Sequence, residues 1–278
     1  MKRLRISAIS YLNTAPLMWD FESGKAGSGF EISYTLPSQC AANLRDGTAD
    51  IGIIPAAAYA TVPGLVVIPG VAIASRQAVR SILLVSSCPL EDIKTVALDS
   101  SSMTSVALTK VLFAKWRGGP RTYKPMASNL KKMLSECDAA LVIGDPALKI
   151  DRSRFHTLDL AQEWIRHTGK PFVFAFWAVR RQALKDAPSE SDLAAIFQDS
   201  RDHGLSANAV DQIAKLWAPR LRLNESEIKK YLTENIYYRL DQACLEGLHL
   251  FYRYAQEYGA LPAHQELKFI ESIRCAAI

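Results

Sequence analysis

Ala49-Asp50-Ile51-Gly52-Ile53-Ile54-Pro55-Ala56 and Cys137-Asp138-Ala139-Ala140-Leu141-Val142-Ile143-Gly144-Asp145-Pro146-Ala147 share one pattern. In each, an acidic residue precedes a short apolar run, and a proline then opens a helix. Runs of this length, bounded by turn residues, read as fully buried strands, and proline suits the first turn of a helix. A chain that uses the unit twice predicts two similar α/β lobes. Two strands are expected to cross between them, Ser81 to Ser87 and Phe172 to Val179, leaving a ligand cleft at the junction. The length of 278 residues agrees, at roughly 150 residues per domain. The expected division is 1–87 plus 178–278 for the first lobe and 88–177 for the second.

Outward from those two stretches, short strands alternate with short helices. Strands are expected at Leu4 to Ser10, Phe30 to Thr35 and Leu65 to Ile68, and a hairpin-like pair at Val71 to Ala74 and Val79 to Ser86. Helices are expected at Pro16 to Phe21 and at Ser38 to Asp46, the latter stopped by Gly47. The second unit repeats the alternation with a strand at Thr95 to Leu98, a helix opened by Asp99-Ser100-Ser101-Ser102, and a helix near Asn129 to Leu134. Such alternation argues a mainly parallel α/β arrangement. After Val179 the chain reads as helix. Asn224 with Glu227 makes a capping box, and Ile236, Leu240, Cys244, Leu248, Phe251 and Ala255 keep one apolar face at helical spacing.

Composition narrows the function. Apolar residues make up 49% and charged residues 22%, the mixture of a globular chain. The balance of 33 basic to 28 acidic residues, net +5, is scattered rather than clustered, which argues against a nucleic-acid binder and suits a small anionic ligand. No stretch approaches the roughly eighteen apolar residues of a membrane span. The opening Met1-Lys2-Arg3-Leu4-Arg5 is followed by an alternating strand pattern rather than a long apolar segment, so the expectation is a cytoplasmic protein. Five dispersed cysteines (Cys40, Cys88, Cys137, Cys244, Cys275) without CxxC spacing predict free thiols, neither a disulfide framework nor a zinc site. The histidines (His156, His167, His203, His249, His264) have no metal-ligand spacing. There is no GxxxxGK[ST], complete dinucleotide fingerprint, HExxH or GxSxG.

What remains is hydroxyl and amide chemistry where strands become helices. Asn13-Thr14 precedes Pro16; one cap there needs one polar side chain, so Asn13 is read as functional and Thr14 as a possible cap. Ser38, after Pro37, reads as a cap. Asp99-Ser100-Ser101-Ser102-Met103-Thr104-Ser105 crowds five hydroxyls onto one helix start, more than capping needs, and points to a bound carboxylate or phosphate. Ser81 is a lone hydroxyl on an apolar run, either a small core residue or a cleft donor. Asp50, Asp138 and Asp145 read as turn or cap residues. Arg76 is either an anion clamp or a surface arginine in a hairpin.

Taken together, the ordered motifs Tyr11-Leu12-Asn13-Thr14-Ala15-Pro16-Leu17, Ala49 to Pro55, Val79-Arg80-Ser81-Ile82-Leu83-Leu84, Ala97 to Ser105, Asp138 to Asp145 and Thr168 to Trp177 resemble chorismate dehydratase, the first enzyme of the futalosine route to menaquinone. The resemblance implies a two-lobed, type II periplasmic-binding-protein-like fold with a helical C-terminal region. It implies loss of water from chorismate to give 3-[(1-carboxyvinyl)oxy]benzoate, without metal or organic cofactor. Asn13 and Ser81 match the family's catalytic positions. Thr14, Ser38, Arg76, Ser101, Ser102, Thr104, Ser105 and Asp145 are the expected substrate-binding set, with the serine-rich loop at a substrate carboxylate. Ser75-Arg76-Gln77-Ala78 departs from the family's usual glycine before the valine.

The expected partner is therefore a small dianion, with neither nucleic acid nor membrane. None of the matched positions is expected to titrate near pH 7, so a substrate carboxylate held close to the ring is the expected base. Two alternatives share the fold. A sister enzyme of the same pathway forms 1,4-dihydroxy-6-naphthoate and needs a histidine in the cleft, and none of the histidines falls in a matching motif. A non-enzymatic solute-binding protein would carry an export signal.

Overall fold

A computed structural model describes residues 3–187, 189–263 and 266–271. Of the residues singled out above, Met1, Lys2, His264 and Cys275 lie outside them. The strands are β1 (Leu4–Ile9), β2 (Phe30–Thr35), β3 (Ile51–Pro55), β4 (Leu65–Ser75), β5 (Ile82–Ser86), β6 (Thr95–Asp99), β7 (Thr122–Met126), β8 (Ala139–Ile143), β9 (His156–Asp159) and β10 (Phe172–Arg180). The helices are α1 (Trp19–Glu22), α2 (Pro37–Asp46), α3 (Ala56–Tyr59), α4 (Met103–Trp116), α5 (Leu130–Glu136), α6 (Asp145–Leu148), α7 (Leu160–Thr168), α8 (Glu190–Gly204), α9 (Ala207–Leu221), α10 (Glu225–Lys230) and α11 (Gln242–Glu257).

Two five-stranded sheets carry the same topology, β2-β1-β3-β10-β4 and β7-β6-β8-β5-β9. In each, the first strand pairs in parallel with the second and third, and an inserted strand runs antiparallel between the third and fourth. The sheets are mixed rather than mainly parallel. The two echoing stretches are β3 and β8, both wholly buried and both third in their sheets. Their acidic residues also do the same work. Asp50 accepts the backbone N–H of Arg5 at 3.0 Å and its Nε at 2.9 Å at the start of β1. Asp138 accepts the N–H of Thr95 at 2.8 Å at the start of β6.

The sheets divide the chain at other points than expected. β5 lies wholly in the second sheet and β10 wholly in the first, so the chain crosses through 76–81 and 169–171 rather than along the two apolar strands. Both strands are apolar because each is sandwiched antiparallel in a buried sheet. The expected hairpin is absent too. Gly70, at φ 78°, is an irregularity inside the single strand β4, whose partner is β10.

The C-terminal region is helical but interrupted. The capping box at Asn224 is present. The apolar face expected from Ile236 onward is broken, because Tyr231–Asn235 forms a π-helical turn and Asp241 starts α11 afresh by accepting the N–H of Cys244 at 2.9 Å. Between them Tyr237 pairs with Ala74 of β4, exchanging bonds of 2.8 and 2.9 Å. α11 then packs on both β10 and α4, spanning the two lobes. Gly247 sits there against the Pro171 carbonyl of the second crossing. Among the described residues no helix is long and apolar enough to cross a membrane.

Candidate functional site

A cleft of about 460 Å³ opens between the sheets. Its first-lobe wall comes from the ends of β1 and β3 and from Ile73 and Phe174; its second-lobe wall comes from Ser81, Ile82, Gly144 and the N-terminus of α4. The strand-to-helix junctions picked out in sequence meet there because two lobes of like topology face each other with the ends of their strands.

Asn13 lines this cleft on a 3₁₀ helix, Leu12–Met18, which runs into α1. The helix begins before Asn13, so neither Asn13 nor Thr14 caps it. The cap comes from the other lobe, where Asp145 Oδ1 accepts the Leu12 N–H at 3.0 Å. Thr14 is buried and donates to Asn13 Oδ1 at 3.4 Å. Ser38 does not cap α2 either, since Pro37 is already helical and Leu36 precedes it. Ser38 instead donates its N–H to the Ser101 carbonyl at 3.1 Å, another tie between the lobes.

Ser81 is fully buried from bulk solvent and lines the cleft. Its carbonyl accepts the Gly144 N–H at 2.8 Å, and its Oγ accepts the phenol O–H of Tyr231 at 2.8 Å. Burial pushes the Tyr231 phenol well above its ordinary pKa, so it stays a donor. Tyr231 was invisible in sequence, where it reads as one more aromatic in a helical region.

The five hydroxyls after Asp99 divide. Ser101 gives its N–H and Oγ–H to Asp99 Oδ1 at 2.9 and 2.6 Å. Thr104 Oγ1 accepts the Ala57 N–H at 3.1 Å and donates to the Phe174 carbonyl at 3.0 Å, stitching α4 to the first lobe. Ser102 occupies the N-cap position of α4 without making a cap bond, and it lines the cleft with Ser105. An uncapped helix N-terminus with two uncommitted hydroxyls beside it is a place for an anion.

Asp145 departs from the expectation that no matched position titrates near neutrality. Burial pushes its carboxyl up to about 6, against the smaller downward pull of the Leu12 N–H and Lys149. Gly144 before it adopts φ 65° and ψ −147°, and a Cβ there would stand 2.6 Å from the ring of Tyr11. Arg76 is not brought to the cleft. It lies exposed, paired with Asp241 and stacked over Tyr237 at 3.9 Å, because residues 76–81 cross between sheets and present it to α11 instead of turning a hairpin. No described histidine lines the cleft. Among the described residues no group of three or more His, Cys, Asp or Glu side chains could hold a metal ion.

Comparison with known proteins bears on this geometry. A family described as menaquinone biosynthesis matches residues 4–257. Chorismate dehydratase of Thermus thermophilus is 29% identical over 259 residues, covering 87% of this chain and 91% of that one. An Archaeoglobus fulgidus protein of known crystal structure superposes with a TM-score of 0.72 at 16% identity, over 93% of this chain and 98% of that one. The periplasmic aliphatic sulphonate binding protein of Escherichia coli superposes with a TM-score of 0.63 at 16% identity, over 98% and 94%. The fold is of the periplasmic-binding-protein kind.

Proposed function

The chain belongs to the menaquinone-biosynthesis family, and from that premise we propose that it is a carbon–oxygen lyase that removes water from chorismate to give 3-[(1-carboxyvinyl)oxy]benzoate. In that reaction a ring C–H bond and the ring C–O bond to the hydroxyl break. The C–H electron pair enters the ring as it becomes aromatic, and proton and hydroxide leave as water. Aromatisation supplies the driving force, so the protein's task is to hold the molecule rather than to provide a strong base.

One observation carries the reading: Asn13 and Ser81 line one cleft that also receives the uncapped N-terminus of α4, with Ser81 Oγ engaged by the buried Tyr231 phenol. The α4 N-terminus, with Ser102 and Ser105, binds a substrate carboxylate. Thr104 lines the cleft while tying α4 to the first lobe, and Thr14, Ser38 and Ser101 shape it from behind, through the bonds already described. Asn13 orients the departing hydroxyl, and Ser81 donates to charge that develops on the ring substituents. The substrate's second carboxylate takes the ring proton; holding base and proton at near-attack distance is worth roughly 7–11 kcal/mol in favourable cases. The relative named chorismate dehydratase supports the same assignment.

The test is to incubate purified protein with chorismate, follow the ultraviolet absorbance and identify the product by mass. Turnover to the benzoate ether is expected, with large losses in Asn13→Ala and Ser81→Ala. Wild-type protein that leaves chorismate intact ends the reading, and wild-type rates in both variants remove the two residues from it.

A further inference from the structure

Ser81 ends a crossing that is pinned from outside the cleft by the turn Tyr231–Asn235. Ser75 Oγ donates to the Asn235 carbonyl at 3.0 Å, Gln77 Nε2 to the Glu234 carbonyl at 2.5 Å, and Asn235 Nδ2 to the Ala78 carbonyl at 2.9 Å. The last tie is Tyr231 O–H to Ser81 Oγ at 2.8 Å. The turn is a single π-helical one, closed by the Ile236 N–H on the Tyr231 carbonyl at 3.1 Å. Such π-turns are rare and recur at functional sites.

The crossing also stores strain beside Ser81. Arg80 sits at φ 64°, a left-handed backbone that a side-chain-bearing residue adopts only under strain. Conformations of this kind persist where the surroundings over-determine them. Asp159 holds one side, accepting the N–H of Arg80 at 2.7 Å and of Val79 at 3.1 Å. Tyr231 holds the other. A core tyrosine needs some partner for its hydroxyl, and a backbone carbonyl would serve. This one is spent on the side chain read as catalytic.

We infer that Tyr231 is a positioning residue: its O–H occupies one lone pair of Ser81 Oγ, so that the serine's own proton is directed into the cleft. This rests on the dehydration reading above. A freely rotating serine hydroxyl donates to substrate only part of the time; a serine whose oxygen is already engaged by a donor cannot turn its proton that way. The cost of losing Tyr231 therefore falls on the chemical step rather than on binding.

The experiment compares wild type, Tyr231→Phe, Ser81→Ala and the double variant with chorismate. Tyr231→Phe is expected to lower kcat by about 10- to 100-fold, with KM within about threefold and the melting temperature little changed. In the Ser81→Ala background the same substitution is expected to change kcat less than about twofold, since the partner it acts through is gone. Wild-type kcat in Tyr231→Phe, or an equal loss with and without Ser81, overturns the role and leaves the dehydration reading standing. Wild-type protein that does not consume chorismate refutes the reading itself. Should Tyr231→Phe fail to fold, 3-fluorotyrosine installed at position 231 keeps shape and hydroxyl while changing donor strength. A kcat altered at least about twofold with KM preserved then supports the role, and an unaltered kcat overturns it.

Discussion

Replacing Asp145 with asparagine is expected to make the protein more stable and the dependence shows why. The carboxyl is half-buried at the start of α6, where one oxygen accepts the Leu12 N–H at 3.0 Å across the lobe junction. Burial outweighs that bond and lifts the folded pKa from 3.8 to about 6. A carboxyl raised in this way is ionised at a cost in the folded protein. Stability from this group is full below the unfolded value, declines as pH rises between about 4 and 6, and stays at its low level above that. Two units at about 1.36 kcal/mol each set an upper limit near 3 kcal/mol at pH 8. Asparagine keeps an oxygen for the Leu12 N–H and carries no charge. Asp145→Asn should therefore gain about 1–3 kcal/mol at pH 8, and the gain should shrink as pH falls toward 4. Urea unfolding of both proteins at pH 8, 6 and 4.5 measures the difference directly. A variant less stable than wild type at pH 8, or a gain that does not change with pH, refutes the reasoning.

Three further outcomes are expected. Gly144→Ala must place a Cβ against the Tyr11 ring at a backbone suited to glycine; a loss of about 1–3 kcal/mol in chemical denaturation is expected, with chorismate turnover falling further because Tyr11 lines the cleft. Asp50→Ala strips the start of β1 of its acceptor and leaves Arg5 without its bidentate partner, so a loss of about 2–4 kcal/mol should appear in the same assay. Gly247→Ala puts a methyl into the Pro171 carbonyl and lifts α11 from the second crossing, which should cost about 1–3 kcal/mol and show as a lowered melting temperature.

The repeated lobe was legible because β3 and β8 are buried on both faces, and such strands write themselves as unbroken apolar runs. The same property hid the crossings. Ile82 to Ser86 and Phe172 to Arg180 are equally apolar, and periodicity says that a strand is buried without saying in which sheet. Asn13 and Ser102 could be found because polar groups in excess of capping needs stand out at helix starts. Tyr231 could not: its partner lies 150 residues away, and its own segment keeps helical spacing through a π-turn that spacing does not register. Arg76 misled for the converse reason. It reads as a free cation until Asp241, 165 residues on, takes it up.

The hydroxyl surplus at α4 also means something different once its members are traced. Two of them are spent: Ser101 on Asp99, and Thr104 on Ala57 and Phe174 of the first lobe. Thr104 joins two other ties across the junction, Ser38 N–H to the Ser101 carbonyl and Leu12 N–H to Asp145. Each such bond is worth about 0.5–1.5 kcal/mol net, so these ties together add a few kcal/mol to the packing of α11 and α3 on α4 that already joins the lobes. Thr104 lines the cleft, and the other ties sit beside residues that do, Pro37 next to Ser38 and Gly144 next to Asp145. A ligand seated between Asn13, Ser81 and the α4 N-terminus therefore touches the same elements that fasten the halves.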